Sequence, residues 1–68
     1  MTEPLPMLIE HALQIAWDFL ERSGGIEDPE RTAVILLASI KTQILKGENR
    51  TLMLSNRAIA AVERRKAA

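Results

Sequence analysis

Cysteine is absent from the 68 residues, which excludes disulfides, thiolate metal sites and thiol nucleophiles. Tyrosine is missing too, and with one tryptophan and one phenylalanine the chain is poor in the aromatic residues that favour sheets. There is a single histidine, His11, and no second histidine at helical spacing completes a metal motif. Ser23, Ser39 and Ser55 have no patterned histidine base, and Gly24-Gly25 lacks the lysine and hydroxyl of a phosphate-cradling loop. These absences argue against an enzyme and leave no catalytic residue, cofactor or metal to assign. The opening, MTEPLPMLIEH, lacks a basic stretch and is followed by charges too frequent for a signal peptide or membrane span. A cytoplasmic protein is expected, so the formal glycosylation acceptor Asn49-Arg50-Thr51 reads as a polar loop.

What is present is a chain 47% hydrophobic and rich in Leu, Ile and Ala, a composition suited to helix packing. Sixty-eight residues make one domain at most, spanning 1–68, and a domain so small buries a modest fraction of its surface. Without disulfides or metal, oligomerisation is the open route to further stability.

The net charge of zero hides a division. Residues 1–34 carry Arg22 and Arg31 against Glu3, Glu10, Asp18, Glu21, Glu27, Asp28 and Glu30, a net −5. Residues 35–68 carry Lys41, Lys46, Arg50, Arg57, Arg64, Arg65 and Lys66 against Glu48 and Glu63, a net +5.

The periodicity predicts an all-α, three-helix domain. Leu5, Leu8, Ile9, Ala12, Leu13, Ala16 and Leu20 recur three and four apart, which predicts a helix over about 5–22, closed by Ser23-Gly24-Gly25. At about 100° per residue, its apolar arc runs from Ile15, Leu8 and Phe19 through Ala12 and Ala16 to Leu20 and Leu13, with Trp17 at the edge. Nearly half the cylinder is apolar, more than one neighbour covers. Glu10, His11, Gln14, Asp18 and Glu21 fall on the solvated side.

Asp28-Pro29-Glu30 announces a second helix over about 29–46: a capping carboxylate, a proline for the first turn, and an acid facing the positive end of the dipole. Lys46 and Gly47 close it. Ala33, Leu36, Leu37, Ile40 and Ile44 form its inward stripe, widened by Val34, Ala38 and Leu45, while Ile35 falls on the outer face with Ser39 and Thr42. A shorter third helix is expected over about 56–66, capped by Ser55, with Leu54 and Ile59 as a hydrophobic staple. Ala58, Ile59 and Val62 then face inward, Arg57, Ala61 and Arg64 outward, and Arg65 to Ala68 fray. The first two helices should form an antiparallel hairpin with the third packed over it.

Two functional readings follow. The wide arc of the first helix points to a non-catalytic homodimeric interaction module, with Leu13, Trp17, Leu20 and Ile35 as contact candidates. The basic carboxy-terminal half points instead to a nucleic-acid-binding accessory domain using Asn56, Arg57, Arg64 and Arg65. Against a helix-turn-helix stands the spacing, since Lys46 and Ser55 are separated by eight residues where such a motif uses three or four. The strings LIEHALQIAWDFLERSG and GENRTLMLSNRAI resemble the small all-helical bacterial proteins of unknown function gathered by structural genomics. That resemblance spans most of the chain and implies the fold, with no functional residues to carry over.

Overall fold

The computed structural model describes residues 4–67, and among these three helices pack on one another: α1 (Leu5–Arg22), α2 (Pro29–Leu45) and α3 (Thr51–Ala67). Glu3, counted with the acids, and Ala68, counted with the frayed tail, lie outside the described residues.

The starts and stops of α1 and α2 follow local chemistry. Leu8 N–H donates to the Pro4 carbonyl at 3.0 Å, opening α1. The Asp28 carboxylate accepts from Arg31 N–H at 3.2 Å, and Pro29 and Glu30 occupy the first turn of α2 as expected. Both helices end in the same device. Gly25 N–H reaches Leu20 O at 2.7 Å and Gly24 N–H reaches Glu21 O at 3.3 Å; Glu48 N–H reaches Gln43 O at 3.0 Å and Gly47 N–H reaches Ile44 O at 2.9 Å. This is the paired 6→1 and 5→2 bonding of a Schellman closure, which requires a left-handed residue after the cap. Gly24 at φ +73° and Gly47 at φ +100° supply it.

The third helix departs from the sequence reading. It begins at Thr51, four residues before the expected cap, and at 17 residues it is no shorter than α2. Ser55 is not a cap: it lies inside the helix with none of its surface exposed, and its hydroxyl donates to Leu52 O at 3.0 Å. The staple between Leu54 and Ile59 therefore does not form as a staple, and both side chains go into the core. The helix continues to Ala67, through the residues expected to fray. Ahead of it, the Glu48 carboxylate accepts the N–H groups of Asn49 and Arg50 at 3.2 and 3.1 Å, placing negative charge before the positive end of α3.

The connector between α2 and α3 is thus Lys46 to Arg50, five residues rather than eight. A different observation now separates the pair from a helix-turn-helix. Gln43 near the end of α2 bonds Leu54 at the start of α3, while Thr32 at the start of α2 shares a cleft with Val62 and Lys66 at the end of α3. The helices run antiparallel along their whole length, instead of crossing steeply as a reading pair does.

The core is built from Leu8, Ala12, Ala16 and Leu20 of α1, Leu36 and Ile40 of α2, and Leu54, Ala58, Ile59 and Val62 of α3. Ala12, Ala16 and Ala58 are wholly covered, and their small side chains let helix axes approach closely. Two polar residues join them on α2, Thr32 and Gln43, which periodicity did not place inside. Gln43 Nε2 donates to Leu54 O at 3.0 Å and to Ser39 Oγ at 3.3 Å, fastening α3 to α2. The inward stripe of α2 is narrower than expected, because Val34 and Leu45 are exposed at 68% and 87% and Ala38 is exposed too. Ile35, expected on the open face, is half-buried against the core because α3 lies along that side.

Candidate interaction surfaces

The apolar arc of α1 is wider than the two neighbouring helices cover, and it is uncovered at one edge. Leu20, towards the Leu13 side of the arc, is 2% exposed and committed to the internal core, so it cannot serve as a partner contact in this fold. Leu13 and Trp17, at the far edge, are half-buried and packed against the core. The opposite edge is left open: Phe19 is 51% and Ile15 39% exposed, one helical turn apart. Together with Asp18, Arg22 and Ser23 they line a shallow depression. Ile15 and Phe19 were visible in the sequence as arc residues; which edge the third helix would spare was not.

A second surface lies between α2 and α3, where an open groove of about 990 Å³ runs beside the antiparallel pair. Its α2 wall carries Ile35, Ala38, Ser39, Thr42 and Gln43, continued by Lys46 of the connector, and its α3 wall carries Arg57, Ala60, Ala61, Arg64 and Arg65. The connector closes one end with Glu48 and Arg50. Lys46 and Arg50 were not among the sequence candidates for anion contact; the heptad spacing of Arg50, Arg57 and Arg64 was the available signal. Asn56 is exposed but lies off the groove, beside Arg50, Leu52 and Met53 in a separate shallow depression.

The groove's one carboxylate is already engaged. Glu48, its side chain only 12% exposed, takes the Arg50 guanidinium at 3.1 Å through Nε and 3.4 Å through Nη2, and Arg57 Nη1 stands 3.7 Å away. The Arg50 side-chain hydrogen bond, assisted by its backbone N–H, holds the Glu48 carboxyl at about 2, well below the usual 4.5. The same contact raises Arg50 above its ordinary value. Lys66 at the other end of α3 turns away, to the Gly25 carbonyl and to Glu27 at 3.5 Å.

His11 is exposed on α1. Among the described residues no group of three or more His, Asp or Glu side chains could hold a metal ion, and no helix is long and apolar enough to cross a membrane. No protein-family model matches the chain, and neither the curated proteins nor the solved structures contain a significant match.

Proposed function

We propose that the protein is a non-catalytic, cytoplasmic interaction module that pairs with a second copy of itself through the open edge of α1. The observation that carries this reading is Phe19, the chain's one phenylalanine, standing half out of the fold beside Ile15 in the body of α1, where the helix's other exposed large apolar side chains, Leu5 and Met7, are confined to its first turn. An exposed aromatic flanked by an aliphatic neighbour is the kind of anchor that contributes most at protein interfaces. The flanking charges suit a two-fold pairing. Asp18 and Arg22 are one turn apart on the rim of that edge, so the surface carries both signs of charge and a two-fold antiparallel pairing of α1 helices can set unlike charges against each other. The contact set therefore centres on Ile15 and Phe19; Leu13 and Trp17 are packed at the opposite edge of the arc and Ile35 lines the α2–α3 groove, so this pairing does not use them.

Sedimentation equilibrium over a wide concentration range tests the proposal. The mass should rise from 7.6 kDa towards twice that value, and Phe19→Glu should hold it at one chain while the helical circular dichroism is kept. A wild-type mass of one chain at every concentration would overturn it.

A further inference from the structure

We infer that the groove between α2 and α3 is a binding site for the sugar–phosphate backbone of double-stranded nucleic acid. The inference is independent of self-association, because Ile15 and Phe19 do not line the groove.

Five cations border this one surface: Lys46, Arg50, Arg57, Arg64 and Arg65. Gathering like charges costs stability, and proteins relieve it by interleaving acids. Here the groove has Glu48 alone: the other acids of the described residues lie on α1, around the start of α2 and, as Glu63, on α3 outside the groove lining. Glu48 serves Arg50 and approaches Arg57, and among the described residues no salt bridge engages Lys46, Arg64 or Arg65. Arg50, Arg57 and Arg64 are seven residues apart, two turns less about 20°, so they form one row with a spacing of about 10 Å along the axis. The lining between them includes the small side chains of Ala38, Ala60 and Ala61, which do not block a chain of phosphates from lying along the row.

The chemistry of the lining selects among polyanions. Four of the five cations are arginines, whose planar fork matches phosphate oxygens two at a time. An acidic protein helix would also want an apolar anchor pocket, and the groove's one large apolar residue, Ile35, is already packed against the core. Single strands are held chiefly by stacking bases on aromatic rings. Both aromatic residues of this chain, Trp17 and Phe19, are on α1 and neither lines the groove. What remains is a backbone clamp for a duplex, read by charge and shape without base contacts.

The test is fluorescence anisotropy with a labelled DNA duplex, its single strand and a poly-glutamate competitor, at two salt concentrations. The duplex should bind at low salt and weaken steeply as salt rises. Arg57→Gln with Arg64→Gln should cut affinity by roughly tenfold or more and reduce the log–log salt slope by about 2, at about 0.9 per phosphate contact. Lys41→Gln, an exposed cation of α2 outside the groove, should change neither. Both variants alter exposed side chains, and an unchanged helical spectrum will show that the fold is kept. Absence of duplex binding at the lower salt would overturn the inference, as would an equal loss from Lys41→Gln. Displacement of the duplex by poly-glutamate at matching affinity would mark an acidic-protein site instead. Tighter binding of the single strand would overturn the assignment to a duplex.

Discussion

Glu48 is the residue on which stability and the basic groove pull in opposite directions. Its carboxylate ties the connector together and draws Arg50 and Arg57 inward, and it does so in its ionised form. Because its folded value of about 2 is below the ordinary 4.5, it contributes stability that is fully present above about 4.5 and is lost as pH falls towards 2. Thermal unfolding followed from pH 6 to pH 2 should show that loss, and Glu48→Gln should flatten the acid limb while lowering the melting temperature at neutral pH. The same substitution removes the groove's one negative charge and releases two arginines. If the groove takes phosphates, Glu48→Gln binds duplex more tightly than the wild type although it is less stable, a combination that simple damage to the fold does not produce. Gln43 is a second residue whose value lies in one bond. It is 7% exposed and its Nε2 fastens the start of α3 to α2, while its Oε1 is buried without a protein partner. Gln43→Ala should cost about 1–3 kcal/mol in denaturant titration, through the lost bond and the space left behind.

At the scale of elements, the ends of α1 and α2 were legible because each is marked by residues with one dominant use: Asp28-Pro29-Glu30 at a start, Gly24 and Gly47 at the stops. The start of α3 was not legible, for a physical reason. Serine serves equally as a cap and as an internal residue bonding back to the preceding turn, and Leu52-Met53-Leu54 fits a helix as well as a connector. The real start has Arg50 immediately before it, which is not a capping residue, and the negative charge comes from Glu48 two positions earlier. Placing Ser55 correctly changes what its variants should do. At a cap, Ser→Ala would cost about 1 kcal/mol and Ser→Asp would be tolerated. Inside the buried face of α3, Ser55→Ala should be near neutral, since alanine is the better helix former and Leu52 O keeps its place in the helix. Ser55→Asp should cost several kcal/mol or unfold the domain, because it buries a carboxylate without a partner. The width of α1's arc was likewise legible, whereas its uncovered edge was not, since periodicity fixes a face but not the direction from which the next helices approach.

For the whole molecule, the charge division by halves becomes a division in space. Five of the seven cations of the second half, all but Lys41 and Lys66, collect along the α2–α3 groove, and the one open aromatic edge belongs to the acidic α1. Two surfaces on different elements allow two separable activities, and they also allow those activities to reinforce each other. A dimer joined through α1 would carry two grooves, so a duplex long enough to reach both would be held at two points, with the second contact made at high effective concentration. A duplex that fills one groove gains nothing from pairing. The row from Arg50 to Arg64 spans about 21 Å at 1.5 Å per residue, which sets the scale of the shorter probe. Phe19→Glu should therefore leave affinity for the short duplex unchanged per chain and weaken binding of a long one, by about a hundredfold if both grooves engage freely. The charge it adds to α1 calls for a neutral companion, Phe19→Ser, which should give the same length-dependent loss. Equal weakening on short and long duplexes would show that the α1 edge touches the nucleic acid directly. No weakening on either, in a protein shown to be dimeric, would show that the two grooves face in directions a single duplex cannot join.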